Sequence, residues 1–308
     1  MDGNSYHIPV LLQESIEGLA IVPDGIYVDA TFGGGGHSRA LLAHLGPQGR
    51  LLAFDQDPAA AQNRIDDERF TLIPENFRYL KRFLRFHGVR QVDGVLADFG
   101  VSSHQFDTPE RGFSTRFEAA LDMRMNPSAT RSAFQVVNEY SQQELAHLLF
   151  LYGELSQARS MAQAIVSQRS TAPIETTEQL KKVVQPFLPK GKENKVLAQL
   201  YQAIRIEVNQ EIAALEEFLL QLTEVVKPGG RIALISYHSL EDRAVKRFIR
   251  DGQFSGEAQK DFYGNLLTPF RKVGKAIRAS QAEVQSNNRA RSASLRVAER
   301  VKNENDDQ

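Results

Sequence analysis

Through the first hundred positions, short apolar runs that end on an acidic residue alternate with helical patterns. Gly25-Ile26-Tyr27-Val28 runs into Asp29, Arg50-Leu51-Leu52-Ala53-Phe54 into Asp55, and Val92-Asp93-Gly94-Val95-Leu96-Ala97 into Asp98. A shorter run, Phe70-Thr71-Leu72-Ile73, leads to Asn76-Phe77 and a helical stretch. Ser38–Leu45 carries helical spacing, and Pro58 is placed to open a helix after Asp55. Apolar strands separated by helices predict an α/β fold, a mostly parallel sheet covered on both faces.

The alternation then stops. From Gln105 to about Arg205 the pattern is helical, with no convincing buried strand. Helices are predicted near Gln142–Tyr152, Leu155–Gln168 and Thr177–Phe187, and a longer one from about Asn194 toward Val226. The sheet resumes with the turn Lys227-Pro228-Gly229-Gly230 and the run Arg231–Ser236. A crossover between parallel strands needs about a dozen residues or somewhat more, far fewer than separate Asp98 from Arg231. We therefore expect a discontinuous sheet domain, residues 1–104 and 206–308, with an all-helical domain at 105–205 inserted after the fourth strand.

Composition narrows the chemistry. At 308 residues and 42% hydrophobic, the chain is long enough for more than one core. It has no cysteine, which excludes disulfides, thiolate metal sites and cysteine nucleophiles, and no metal site is expected. The start, Met1-Asp2-Gly3-Asn4-Ser5-Tyr6, lacks a basic leader, and no apolar run approaches the roughly 20 residues that span a bilayer. The expectation is a cytoplasmic protein with no membrane partner. Net charge is −1, but Arg271, Lys272, Lys275, Arg278, Arg289, Arg291, Arg296, Arg300 and Lys302 cluster near the C-terminus against Glu283 and Glu299. Such a cluster is either a phosphate-binding face or a solvated one. The last residues, Asn303–Gln308, have the composition of a disordered tail.

The densest chemical signal is Asp29-Ala30-Thr31-Phe32-Gly33-Gly34-Gly35-Gly36-His37, a glycine turn between a strand and a helix. Glycines there let a ligand lie against bare main chain at a helix N-terminus. Asp29, Asp55 and Asp98 all stand at the C-terminal edge of predicted parallel strands, where doubly wound sheets bind ligands. Asp55 lies about 20 residues past the turn, the spacing of a ribose-binding carboxylate. Each aspartate alone would read as a cap or turn former; together they point to a nucleoside-containing cofactor. The dinucleotide pattern G-x-G-x-x-G fails, since its third glycine falls on Ser38 or Arg39, and no G-x-x-x-x-G-K-[ST] occurs. S-adenosylmethionine, with a ribose and an adenine but no pyrophosphate, tolerates both departures. Phe77 is either a face for adenine or a core residue.

The stretch Leu96–Ser114, L-A-D-F-G-V-S-S-H-Q-F-D-T-P-E-R-G-F-S, resembles the signature of the ribosomal RNA small-subunit methyltransferase H family. Further matches are H-x-P-V-L-L at His7–Leu12, T-F-G-x-G-G-H-S at Thr31–Ser38, L-D-M-R-M at Leu121–Met125, Y-Q-A-I-R-I-E-V-N-Q-E at Tyr201–Glu211, I-S-Y-H-S-L-E-D-R at Ile235–Arg243 and R-A-R-S-A-S-L-R-V-A-E-R at Arg289–Arg300. The resemblance implies a class I, Rossmann-like S-adenosylmethionine-dependent methyltransferase whose helical insertion recognises substrate. It implies methylation of the exocyclic N4 amine of a cytidine in the decoding region of 16S rRNA. Cofactor contacts carried over by the motifs are Gly35, Gly36, His37, Asp55, Phe77, Asp98 and Gln105. The chain departs from the family at Ala30, at Gly34 and at Lys195-Val196-Leu197-Ala198-Gln199.

A cytosine amine is a poor nucleophile, so positioning and fixed electrostatics must supply most of the acceleration. Asp98 is expected to contact the cofactor and is the candidate acceptor for the target amine. His238, ending the fifth strand, either approaches the base or serves as a structural hydrogen-bonder. Arg111, Arg124, Arg289 and Arg291 are candidate substrate contacts, with Arg116 and Arg296 beside them; Asp122 and Arg124 can equally form a structural pair. The expected partner is small-subunit rRNA, free or as the 30S subunit, and the oligomeric state is open, a dimer included. Two alternatives stay open: a methyltransferase of another RNA, a protein or a small molecule, and a non-catalytic RNA-binding or ribosome-assembly protein that holds the cofactor.

Overall fold

The computed structural model describes residues 9–101, 108–254, 260, 264 and 267–302. The chain forms two compact units, Met1–Gly100 with Ile212–Gln308, and Val101–Glu211. The first unit contains the sheet, with strands β1 Ile26–Asp29, β2 Arg50–Phe54, β3 Phe70–Ile73, β4 Val92–Asp98, β5 Val226–Ser236, β6 Phe270–Lys272, β7 Ile277–Arg278 and β8 Ser294–Arg300. Their order is β3-β2-β1-β4-β5-β8-β6, with β7 also pairing β8. The first five are parallel, and β8 runs antiparallel to β5, β6 and β7. This is the mixed, mostly parallel α/β sheet of a Rossmann-like fold.

Strand order explains where a ligand can bind. The chain leaves β1 for β2 and β3, then returns to β4 on the other side of β1. Connections that depart in opposite directions leave a crevice beyond the C-terminal ends of β1 and β4. Successive strand residues feed opposite faces: Val28, Leu52 and Val95 join one apolar cluster, Tyr27, Leu51 and Leu96 the other. Both faces are covered, which is why these strands read as continuous apolar runs. The crevice is thus the open end of an otherwise closed sheet.

The second unit is helical, with Ala133–Glu139, Gln142–Leu151, Ala158–Arg169, Thr177–Val184 and Glu193–Asn209 around its own core of Val136, Leu149, Ile165, Leu180 and Leu200. Capping boxes at Ser132/Gln135, Ser141/Glu144 and Thr176/Gln179 fix three of these helix starts. An isolated bridge between Ala120 and Thr176 is its only β pairing among the described residues.

Three expectations need correction. The helix expected to run from about Asn194 toward Val226 is two, broken at Gln210, whose φ of 50° lies in the left-handed region. Pro58 opens a short 3₁₀ turn, Pro58–Asn63, capped by Asp57, instead of an α-helix. Ala133–Glu139 lies outside the predicted helices; two turns give too little periodicity to read, although its S-x-x-Q cap stands in the sequence. No helix among the described residues is long and apolar enough to cross a membrane.

Candidate active site

The glycine turn is held from both sides. Ala30 N–H donates to Leu96 O and Phe32 N–H to Phe54 O, both at 2.8 Å, so the chain beyond β1 stays bound to its neighbours. Arg39 Nη1 donates to Gly34 O at 2.7 Å and Asn63 Nδ2 to Gly33 O at 3.0 Å. Gly35 adopts φ 75°, and a Cβ there would stand 2.9 Å from the Phe32 ring. A Cβ on Gly36 would stand 2.2 Å from Pro9 Cγ. Side chains are therefore excluded at both positions by backbone angle or by contact. A Cβ on Gly34 would meet open space, so the turn does not require glycine at that position.

The three aspartates do different things. Asp29 is fully buried; it accepts from Ser38 Oγ at 2.7 Å and Thr31 N–H at 3.1 Å, locking strand, turn and helix together. Asp55 is half-buried and accepts from Gly33 N–H and Asp57 N–H, both at 2.8 Å. It therefore shapes the turn as well as facing the crevice. Asp98 keeps 22% of its side-chain exposure, with Oδ2 3.9 Å from His37 Nδ1. Its Oδ1 is shielded and makes no hydrogen bond with any described residue. His37 Nε2 lies 3.1 Å from Val10 O, which favours the tautomer that donates there and leaves Nδ1 facing Asp98.

Withdrawal from water pushes all three carboxyls up from 3.8 to about 6. The aspartates also repel one another, while His37 and the nearby Tyr237 hydroxyl favour ionised Asp98. Burial pushes His37 down. Such concentrated negative charge in one crevice is relieved by a cationic ligand. The pH dependence follows with its sign. Folded-state values above the unfolded value mean the ligand-free fold gains protons as pH falls through about 6, and the stability so gained is lost as pH rises through that range. A cation prefers the ionised carboxylates, so its affinity should fall as pH drops below about 6, with protons released on binding. Calorimetry in buffers of different ionisation enthalpy checks this; pH-independent affinity with no proton release contradicts it.

Phe77 follows β3 and packs edge-on against Phe99 and Phe218 at 6.0 and 5.1 Å. It is partly exposed, so one side is in the core and the other is available to a planar base. Gln105 lies outside the described residues. His238 serves its own helix: Nδ1 caps Glu241 N–H at 3.4 Å, and Nε2 lies 3.0 Å from Glu241 Oε1 without a well-formed hydrogen bond.

In the helical unit, Arg124 forms the structural pair with Asp122 at 2.6 and 3.0 Å and also donates to Ala129 O. Arg111 reaches back to Arg124 O and Met125 O. Their guanidinium groups therefore hold the Leu121–Met125 turn. Much of the C-terminal basic run is also engaged within the fold: Arg271 with Glu299, Arg296 with Asp242, and Arg300 with Thr223 O and Pro269 O. Arg289 is half-buried near Tyr237, and Arg291 is exposed. The sequence does not reveal that Asp98 meets His37 and Tyr237, because the adjacency of β4 to β1 and to β5 is a property of strand order. The available signal is that both segments end strands.

The ribose-acceptor reading of Asp55 has a direct test. Asp55→Ala removes a charged acceptor, each such hydrogen bond contributing about 1.5–3 kcal/mol, so affinity for an adenosine-containing cofactor should fall ten-fold or more. Unchanged affinity in a folded variant would remove Asp55 from the site.

A family model described as the MraW methylase family matches residues 4–301. A ribosomal RNA small subunit methyltransferase H from Christiangramia forsetii is 64% identical over 296 residues, covering 96% of this chain and 98% of that protein. A protein of the same name from Bacteroides thetaiotaomicron is 53% identical over 300 residues, covering 97% of this chain and 99% of that one. Among solved structures, an rRNA methylase from Streptococcus thermophilus aligns over 96% of this chain and 99% of its own, at 14% identity and a TM-score of 0.40.

Proposed function

This chain belongs to the MraW methylase family, and we propose that it is an S-adenosylmethionine-dependent methyltransferase of small-subunit rRNA that modifies the N4 amine of a cytidine in the decoding region. The observation that carries this reading is the acidic crevice at the β1/β4 switch point, where Asp98 has a shielded carboxylate oxygen with no hydrogen bond from any described residue. The residues present fit the cofactor: the glycine turn opens a helix with Gly33 and Gly34 accessible and is packed tightly at Gly35 and Gly36, Asp55 offers acceptors for ribose hydroxyls, and Phe77 offers an aromatic side for adenine. S-adenosylmethionine supplies an electrophilic methyl group on a positively charged sulfonium.

The protein supplies orientation and charge. Asp98 accepts a hydrogen bond from the target N–H, which holds the amine in line and favours its lone pair as the nitrogen pyramidalises. With a pKa raised to about 6, the same carboxylate can hold the proton the amine sheds. Asp29 and Ser38 keep the turn fixed throughout. A target base must be unstacked to reach such a crevice, which favours a single-stranded loop or flipped nucleotide. The helical unit, residues 101–211, is assigned to substrate recognition.

Incubating the protein with methyl-labelled cofactor and, separately, 30S subunits, naked rRNA and bulk protein tests the substrate class. Label in either RNA form and none in protein is expected. Label in protein alone, or in nothing, would refute the reading.

A further inference from the structure

A cavity of about 500 Å³ lies where β5 ends and β8 begins, beside the crevice but outside the residues assigned to cofactor. Its lining residues include the cations Arg243, Lys246 and Arg278 and the hydroxyl-bearing Ser236, Ser292 and Ser294. The one carboxylate in the wall, Asp242, is neutralised by Arg296 through paired hydrogen bonds of 2.9 and 2.8 Å. Arg278 is pre-oriented, because its Nη1 donates to Ser292 O and Ala293 O, each at 3.2 Å. A clamped guanidinium loses little freedom on binding an anion. Ser294 is 1% exposed, and its Oγ sits beside Asp242 without a well-formed hydrogen bond. The Ser294 hydroxyl favours the ionised Asp242 carboxylate and adds a polar group to the cavity wall.

We infer that this cavity binds a phosphodiester group of the RNA strand that carries the target base. The inference rests on the proposed rRNA activity and deepens it. A phosphate accepts hydrogen bonds on several oxygens, matching two or three cations and the serine hydroxyls around it. Position supports this assignment: Tyr237 lines the cavity, and its hydroxyl adjoins Asp98. A strand anchored here presents a neighbouring nucleotide to the crevice. The contact carries no base specificity; it sets register, as phosphate contacts do.

The test uses the full-length double variant Lys246→Gln/Arg278→Gln and, separately, the conservative Ser294→Ala. Each is assayed for S-adenosylmethionine binding by calorimetry, for methyl transfer to 30S subunits and naked rRNA, and for salt-dependent binding of single-stranded RNA. The double variant should keep wild-type cofactor affinity. Its KM for the accepted RNA should rise about ten-fold or more, and its plot of log K against log salt should flatten by roughly 0.7 for each phosphate that is no longer neutralised. Ser294→Ala should raise the same KM several-fold with kcat little changed. Unchanged KM and salt slope in folded variants would overturn the site while leaving the enzyme's function standing. A matching loss of cofactor affinity would also overturn it, by making the cavity part of the cofactor pocket. If the wild type methylates neither RNA form, the functional reading fails; the RNA-binding arm then decides the cavity alone, and unchanged binding overturns it.

Discussion

Asp98→Asn is expected to lower methyl transfer to rRNA by about two orders of magnitude while weakening S-adenosylmethionine much less. The amide preserves volume and the backbone bond from Asp98 N–H to Thr31 Oγ1, so the loop should stay in place. What disappears is the negative charge that draws the amine's hydrogen and can hold its proton. At saturating cofactor, the wild-type rate should rise with pH as Asp98 ionises, at a pH below the ligand-free value of about 6 because the bound cation favours the carboxylate. The variant should lack that rise. Equal losses in turnover and cofactor affinity would make Asp98 a cofactor ligand alone, and no loss in either would remove it from the site.

Replacing residues 101–211 by a short glycine-rich linker should leave cofactor binding nearly intact and reduce rRNA methylation by more than about a hundred-fold, the scale on which misplacing a substrate is felt. Gly35, Gly36, Asp55, Phe77 and Asp98 all belong to the sheet unit, which buries its own apolar clusters. The helical unit has a separate core from Phe113 to Val208. Circular dichroism and gel filtration must first establish that the shortened chain is folded and monodisperse. A folded variant that methylates rRNA at the wild-type rate would refute the assignment of substrate recognition to this unit.

Much of the sheet is legible because its strands are buried on both faces. Arg50–Phe54 and Phe70–Ile73 coincide with their apolar runs, and Asp29, Asp55 and Asp98 stand at the expected edge. Residues whose chemistry depends on local spacing, such as the glycine turn, are equally readable. Contacts between distant segments are not: Asp98 meets His37 and Tyr237 only because β4 lies between β1 and β5. Charge is the least legible feature. Arg296 looks available in the sequence, yet the fold brings Asp242 to it, whereas the Arg124 pair with Asp122 is local and is one of the two readings open in the sequence. The break at Gln210 is hidden as well, because the helical pattern continues on both sides of one left-handed residue.

In the proposed reaction an amine hydrogen-bonded to Asp98 receives the methyl group. The direct measurement is mass spectrometry of nucleosides from small-subunit rRNA after reaction with isotopically labelled S-adenosylmethionine. Label is expected in N4-methylcytidine at a single cytidine, and it should nearly disappear with Asp98→Asn. Label on a ring carbon, on a ribose hydroxyl or on another base would contradict it.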